Sequence, residues 1–158
     1  YVVVQLSAGI LGALTYAMIM GGVTFPIGPG RGFGWASVAV AELVFTFVLC
    51  FTVLCVATVK AAPAPEFTGF IIGMCVTVGG LAIGSVSGGS LNPAVSLGIA
   101  SARLLWDGTF YRGVVYMLIE ALGGLAAALV FGVVYPEELK TADLLGKDGA
   151  GAAASEIL

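Results

Sequence analysis

Residues 87–100 read Ser-Gly-Gly-Ser-Leu-Asn-Pro-Ala-Val-Ser-Leu-Gly-Ile-Ala. They lie within a stretch, 67–102, that carries no charged residue. At about 1.5 Å of rise per residue, one helix of that length overshoots a bilayer, so the stretch cannot be a single span. Ser87-Gly88-Gly89-Ser90 breaks the helix. Asn92-Pro93 restarts it, because Asn is a preferred N-cap and Pro suits the first helical position. A short helix from 93 to about 105 follows, and Arg103 and Asp107 come soon after, so the segment returns to the side from which it entered. A re-entrant segment of this kind is tolerated at membrane depth only where it is buried in protein or lines a cavity.

Outward from this stretch, the whole chain suits a bilayer. Of 158 residues, 59% are hydrophobic and only 9% charged, against about 25% charged in soluble domains. Four stretches are long and apolar enough to span: 2–23, 38–59 with Glu42 its only charge, 67–86, and 113–135 with Glu120 its only charge. Residues 26–34, with Pro26, Gly28, Pro29, Gly30, Gly32 and Gly34, read as a surface loop, and 60–66 with Pro63 and Pro65 as a short turn. The transmembrane region thus runs over 1–136. Residues 137–158 form a Gly/Ala-rich tail whose Glu137, Glu138, Asp143, Asp148 and Glu156 outnumber Lys140 and Lys147, which predicts solvated, flexible chain. With no initiator methionine and no leader pattern, the chain reads as part of something longer.

Several function classes lose their parts. The basic residues stand singly, leaving no stripe to follow a phosphate backbone, so nucleic acid is not an expected partner. There is no histidine, no pair of carboxylates at catalytic spacing and no cysteine beside a base, which argues against an enzyme. Cys50, Cys55 and Cys75 lie in apolar runs and read as small buried hydrophobes. No cofactor or metal is implied. Alternating spans put Arg31, Arg103 and Arg112 on one side and Lys60, Lys140 and Lys147 on the other, so the positive-inside rule gives a tie.

Two weaker patterns concern packing. Small residues recur four apart at Ala8/Gly12, Gly9/Ala13, Gly69/Gly73, Gly80/Gly84 and Gly123/Ala127, a spacing that lets helix backbones approach, although 24 glycines produce some such pairs by chance. Offsetting the chain by 115 residues sets Tyr1 on Tyr116, Gln5 on Glu120, Ala8 on Gly123 and Gly9 on Gly124. With three crossings between the copies they would run in opposite directions, as inverted repeats of transport proteins do.

The 87–100 stretch resembles the second re-entrant loop of the major intrinsic protein, or aquaporin, family. Residues 1–13 resemble that family's third helix, 41–47 (AELVFTF) the start of its fourth, 72–84 (IGMCVTVGGLAIG) its fifth and 116–129 its sixth. The family's first two helices and first Asn-Pro-Ala loop have no counterpart. The resemblance implies an all-α integral membrane fold: a right-handed helical bundle with a re-entrant Asn-Pro-Ala half-helix, here four spans plus one half-helix.

The implied pore motif is Asn92-Pro93-Ala94. A helix begun there aims roughly half a positive charge at the membrane centre, while Asn92 caps the helix and offers its NH2 to a passing hydroxyl. The carbonyls of Gly88, Gly89, Ser90 and Leu91 form a ladder of acceptors for neutral solutes. By resemblance, Glu42 holds the loop by accepting from its backbone, with Gln5 as a second supporting residue. Glu120, where relatives carry an apolar residue or proline, must lie near a helix end, be partnered or be protonated, and one reading makes it an interfacial snorkelling group. Water-specific relatives narrow the mouth with an arginine after Asn-Pro-Ala and a histidine. Here those positions are Val95 and Gly80, with Gly89 as the third. A filter of Gly80, Gly89 and Val95 is wider and lacks a fixed positive charge. Ser96 and Ala100 resemble the water-channel branch. The expected function is a passive channel for water and other small neutral solutes, embedded in lipid and assembled as a homotetramer. The competing expectation is a non-conducting accessory subunit of a larger membrane complex.

Overall fold

The computed structural model describes residues 1–60, 62, 64–106 and 108–138. The tail expected over 137–158 therefore lies, beyond Glu138, outside the described residues. Among the described residues the α-helices are, in order, α1 (Val2–Ile19), α2 (Trp35–Ala57), α3 (Thr68–Ser87), α4 (Pro93–Trp106) and α5 (Tyr111–Val134), with a 3-10 turn at Pro65–Phe67 before α3. Among the described residues there is no strand. Val2–Ile19, Trp35–Ala57, Pro65–Ser87 and Tyr111–Val134 are each long and apolar enough to cross a bilayer. Their large side chains point outward, Leu81 and Val133 at 81% exposure each, which in water would be a solubility fault and in lipid is the ordinary surface. The first helix ends at Ile19, short of the expected 23, because Gly21 and Gly22 both take positive φ and turn the chain.

Helix α4 is the half-helix, wedged between α1 and α5, and α5 also packs along α2, which in turn packs on α3. Small residues make the wedge possible. Gly9 of α1 lies directly against the Ala94 carbonyl, and Gly98 of α4 against the Gly9 carbonyl, so backbones touch with no side chain between. On the other flank Gly113 of α5 faces Ser96 and Ala100. On α5, a Cβ at Gly123 would lie 2.6 Å from the Leu43 carbonyl oxygen of α2. The other small pairs are different in kind: Gly12, Gly69, Gly73, Gly80 and Gly84 have nothing within 4 Å of where a Cβ would stand.

The segment joining α1 and α2, expected as a surface loop over 26–34, is exposed at Pro26 and over 31–34 but is anchored at its centre. Ile27 is buried, packing with Val38 and Tyr116. The last carbonyls of α3 need donors that a helix end cannot supply to itself. Gly30 N–H donates to Val86 O at 2.9 Å, Gly28 N–H to Ser87 O at 3.5 Å, and Tyr116 Oη–H also donates to Ser87 O. Arg112 Nη1 donates to Ile27 O at 3.2 Å and pins the segment to α5. The loop is a lid on the helix end from which the re-entrant chain departs.

Candidate pore loop and its two cavities

The chain leaves α3 through Gly88 and Gly89, whose φ values of 96° and 66° open the turn that other residues resist. Asn92 then caps α4: its Oδ1 accepts from Ala94 N–H at 2.9 Å, while Ser96 N–H bonds to its backbone carbonyl at 3.0 Å. Between these points the carbonyls of Gly88, Gly89, Ser90 and Leu91 receive no backbone N–H among the described residues. Leu91 takes φ 57°, the left-handed region that a branched side chain avoids, and is held there from both sides. Its N–H donates to Glu42 Oε2 at 2.9 Å, and its side chain packs into the space left by Gly79.

Glu42 is wholly buried and fully used. Oε1 accepts from Ser90 N–H at 3.1 Å and Ser87 Oγ–H at 2.6 Å, while Oε2 takes Leu91 N–H. A buried carboxylate is costly unless paired or hydrogen-bonded, and three donors meet that need. Glu120, for which an interfacial snorkelling role was one expectation, is instead buried between helices. It is 1% exposed, and its Oε1 is hydrogen-bonded to Ser96 Oγ at 2.8 Å. Ser96 Oγ is in turn 2.7 Å from Ser90 Oγ. Two acids on different helices thus hold the loop from opposite flanks. Gln5, expected as a second support, is exposed on α1 and lines a cavity with Asn92, Pro93 and Ala94; among the described residues no hydrogen bond joins its side chain to the loop.

Two cavities adjoin the loop on consecutive residues. One, of about 560 Å³, is lined by Gly88, Gly89 and Ser90, with Val95, Tyr16 and Phe25 around them. The other, of about 650 Å³, is lined by Leu91, Asn92 and Pro93, with Gln5, Thr46 and Glu120. Of the three positions expected as a filter, Gly80 lies against Gly89, where a Cβ would stand 3.1 Å from Gly80 Cα, and Val95 shares the cavity of Gly89, although Gly80 itself is not in the lining. Among the described residues, no lysine or arginine lines either cavity. Sequence reading passed over Tyr16, Thr24 and Phe25, since a residue at a helix end or in a loop shows no sign that the chain folds back over a mouth. It also passed over Ser87, Tyr116 and Thr46, whose polar atoms on apolar helices were the available clue.

A bundle of four apolar helices around an N-capped half-helix defines an integral, multi-pass membrane protein. The comparisons agree. The family model described as major intrinsic protein matches residues 1–131, and the chain belongs to that family. It is 35% identical over 129 residues to aquaporin NIP2-1 of Zea mays, covering 82% of this chain and 40% of that protein. It is 33% identical over 156 residues to the probable aquaporin TIP1-2 of Oryza sativa subsp. japonica, covering 90% and 58%. It is 30% identical over 146 residues to the probable aquaporin AqpM of Archaeoglobus fulgidus, covering 87% and 58%. The chain thus spans about half the length of these relatives. No solved structure gives a significant match.

Proposed function

We propose that the chain forms part of a passive channel for water and other small neutral solutes, with the solute passing along 88–92. The observation that carries this reading is the run of carbonyls at Gly88, Gly89, Ser90 and Leu91 that receive no backbone N–H among the described residues, followed by the Asn92 amide, along two cavities. A hydrogen-bonding solute that sheds its water shell there meets replacement acceptors and a donor. The mouth at Gly80, Gly89 and Val95 is broad because none of the three offers a long or charged side chain, so solutes larger than water are admitted. No step calls for a nucleophile, a general base or a metal, and the role is transport, not catalysis. Assembly with copies of itself in lipid is part of the proposal, because the open glycine face at Gly69 and Gly73 suits close helix packing between subunits.

The test is stopped-flow light scattering on proteoliposomes carrying the full-length protein, challenged first with sucrose and then with glycerol. Fast shrinkage and fast glycerol entry are expected in wild type, with glycerol entry cut by Val95→Arg. Permeability at the level of empty liposomes for both solutes would overturn the channel reading in favour of an accessory membrane subunit.

A further inference from the structure

Glu42 and Glu120 approach the loop from opposite flanks, and Ser90 stands between them. Its N–H donates to Glu42 Oε1 at 3.1 Å, and its Oγ is 2.7 Å from Ser96 Oγ, which lies 2.8 Å from Glu120 Oε1. The two acids differ in the kind of partner they have. Glu42 faces the backbone N–H groups of Ser90 and Leu91, which can only donate, so it accepts and its negative charge is well placed. Glu120 faces a hydroxyl, which can donate or accept.

The hydrogens decide the direction. From Glu120 the contacts run Oε1 to Ser96 Oγ at 2.8 Å, Ser96 Oγ to Ser90 Oγ at 2.7 Å, and Ser90 Oγ to Asn92 O at 3.4 Å. The far end is a carbonyl, which only accepts. Three links need three hydrogens, and each serine supplies one. With Glu120 ionised, one link stays empty: either two hydroxyl oxygens face each other with no hydrogen between them, or the Asn92 carbonyl loses Ser90. A proton on Oε1 fills all three links, every hydrogen pointing from Glu120 toward Asn92.

The charge of the site argues the same way. Glu120 Oε2 is buried and has no hydrogen-bond partner among the described residues. In a carboxylate that oxygen carries half of a charge with nothing to offset it; in a protonated acid it is a neutral carbonyl oxygen, which costs far less to leave unpaired. Amides in the first turn of α4 could offset an anion, but Ala94 N–H and Ser96 N–H are both taken by Asn92. Glu42 adds a like charge on the other side of Ser90.

We propose that Glu120 carries a proton in the folded protein and donates it to Ser96 Oγ, which makes it a positioning residue: through Ser96 it holds Ser90 and Asn92 together across the left-handed Leu91. The positioning role rests on the channel reading above; the protonated state does not.

The first arm of the test is infrared spectroscopy of the purified full-length protein in an ester-free detergent at pH 7, where an ordinary carboxyl, titrating near about 4, is ionised. Wild type should show a protonated-carboxyl C=O band that is absent from Glu120→Gln. In Ser96→Ala the band should persist and move to higher frequency, because the acid has lost its acceptor. The second arm is osmotic water flux into proteoliposomes, per mole of protein. Glu120→Gln, whose NH2 can donate to Ser96 in place of the acid hydrogen, should keep wild-type flux. Glu120→Leu and Ser96→Ala should each lose about fivefold, the scale of one neutral hydrogen bond. A spectrum with no band assignable to Glu120 overturns the proposal outright. A band that Ser96→Ala leaves unmoved overturns the link through Ser96, and wild-type flux in Glu120→Leu overturns the positioning role. Wild-type vesicles no more permeable than empty ones remove the channel reading and the positioning role together, while the infrared band still decides where the proton sits.

Discussion

At the scale of single residues, Leu91 and Glu42 are the pair on which the loop depends. A left-handed backbone costs an L-residue about 1–2 kcal/mol, and Leu91 keeps it because its N–H is tied to Glu42 and its side chain is 3% exposed against α3. Glu42→Gln removes the charge from three hydrogen bonds and turns an NH2 toward a donor. A loss of about 1.5–3 kcal/mol is expected, since bonds to charged groups fall in that range. Thermal unfolding of the purified protein in detergent should show a lowered Tm, and an unchanged Tm would remove Glu42 from the role of loop anchor. The cap at Asn92 is local chemistry and legible from residue type, because an Asn before a Pro can reach only the amides of its own helix turn. The Ser87–Glu42 bond joins residues 45 apart in the chain. No local pattern announces it.

At the scale of elements, small residues four apart fall into two groups that the chain does not distinguish. Gly9 carries the backbone approach of α1 to α4, whereas Gly73 has nothing within 4 Å of its missing Cβ. Gly9→Ala forces the Ala94 carbonyl away and should cost about 1–3 kcal/mol, as overpacking does. Gly73→Ala should be neutral or stabilise α3 by up to about 1 kcal/mol through helix propensity. Melting both variants beside wild type decides it; equal effects would mean that α1 and α4 do not meet at Gly9. The reason for the ambiguity is physical. Spacing tells which residues share a helix face, and says nothing about whether a neighbouring helix or lipid covers that face. The lid over α3 was hidden for a similar cause: Gly and Pro between 26 and 34 signal a turn, but the N–H groups of Gly28 and Gly30 find their acceptors on a helix remote in sequence.

At the scale of the molecule, the cavities define what reaches the loop. Cys50 lines the cavity that holds Asn92 and Glu120, while Cys75 Sγ is 3.8 Å from Thr52 Oγ1 on the neighbouring helix. A water-soluble mercurial should therefore slow solute flux through attack at Cys50, with recovery on adding a free thiol. Cys50→Ser should be resistant, and Cys55→Ser and Cys75→Ser as sensitive as wild type. Inhibition that survives in Cys50→Ser would place the conducting path elsewhere.

Membrane residence, the count of long apolar helices and the break at 87–92 were all readable before any fold was known. Each depends on a property carried by a single segment: apolar length against bilayer thickness, or the inability of Gly-Gly and Asn-Pro to continue a helix. The placement of Glu120 was not readable, and neither was the approach of Gly80 to Gly89 or the cavity that Val95 shares with Gly89. Whether a polar atom on an apolar helix meets a serine, a void or lipid depends on which helix lies opposite and at what depth. That is decided only when α4 is wedged between α1 and α5, because the backbone approach at Gly9, Gly98 and Gly113 sets the register of every side chain around the loop.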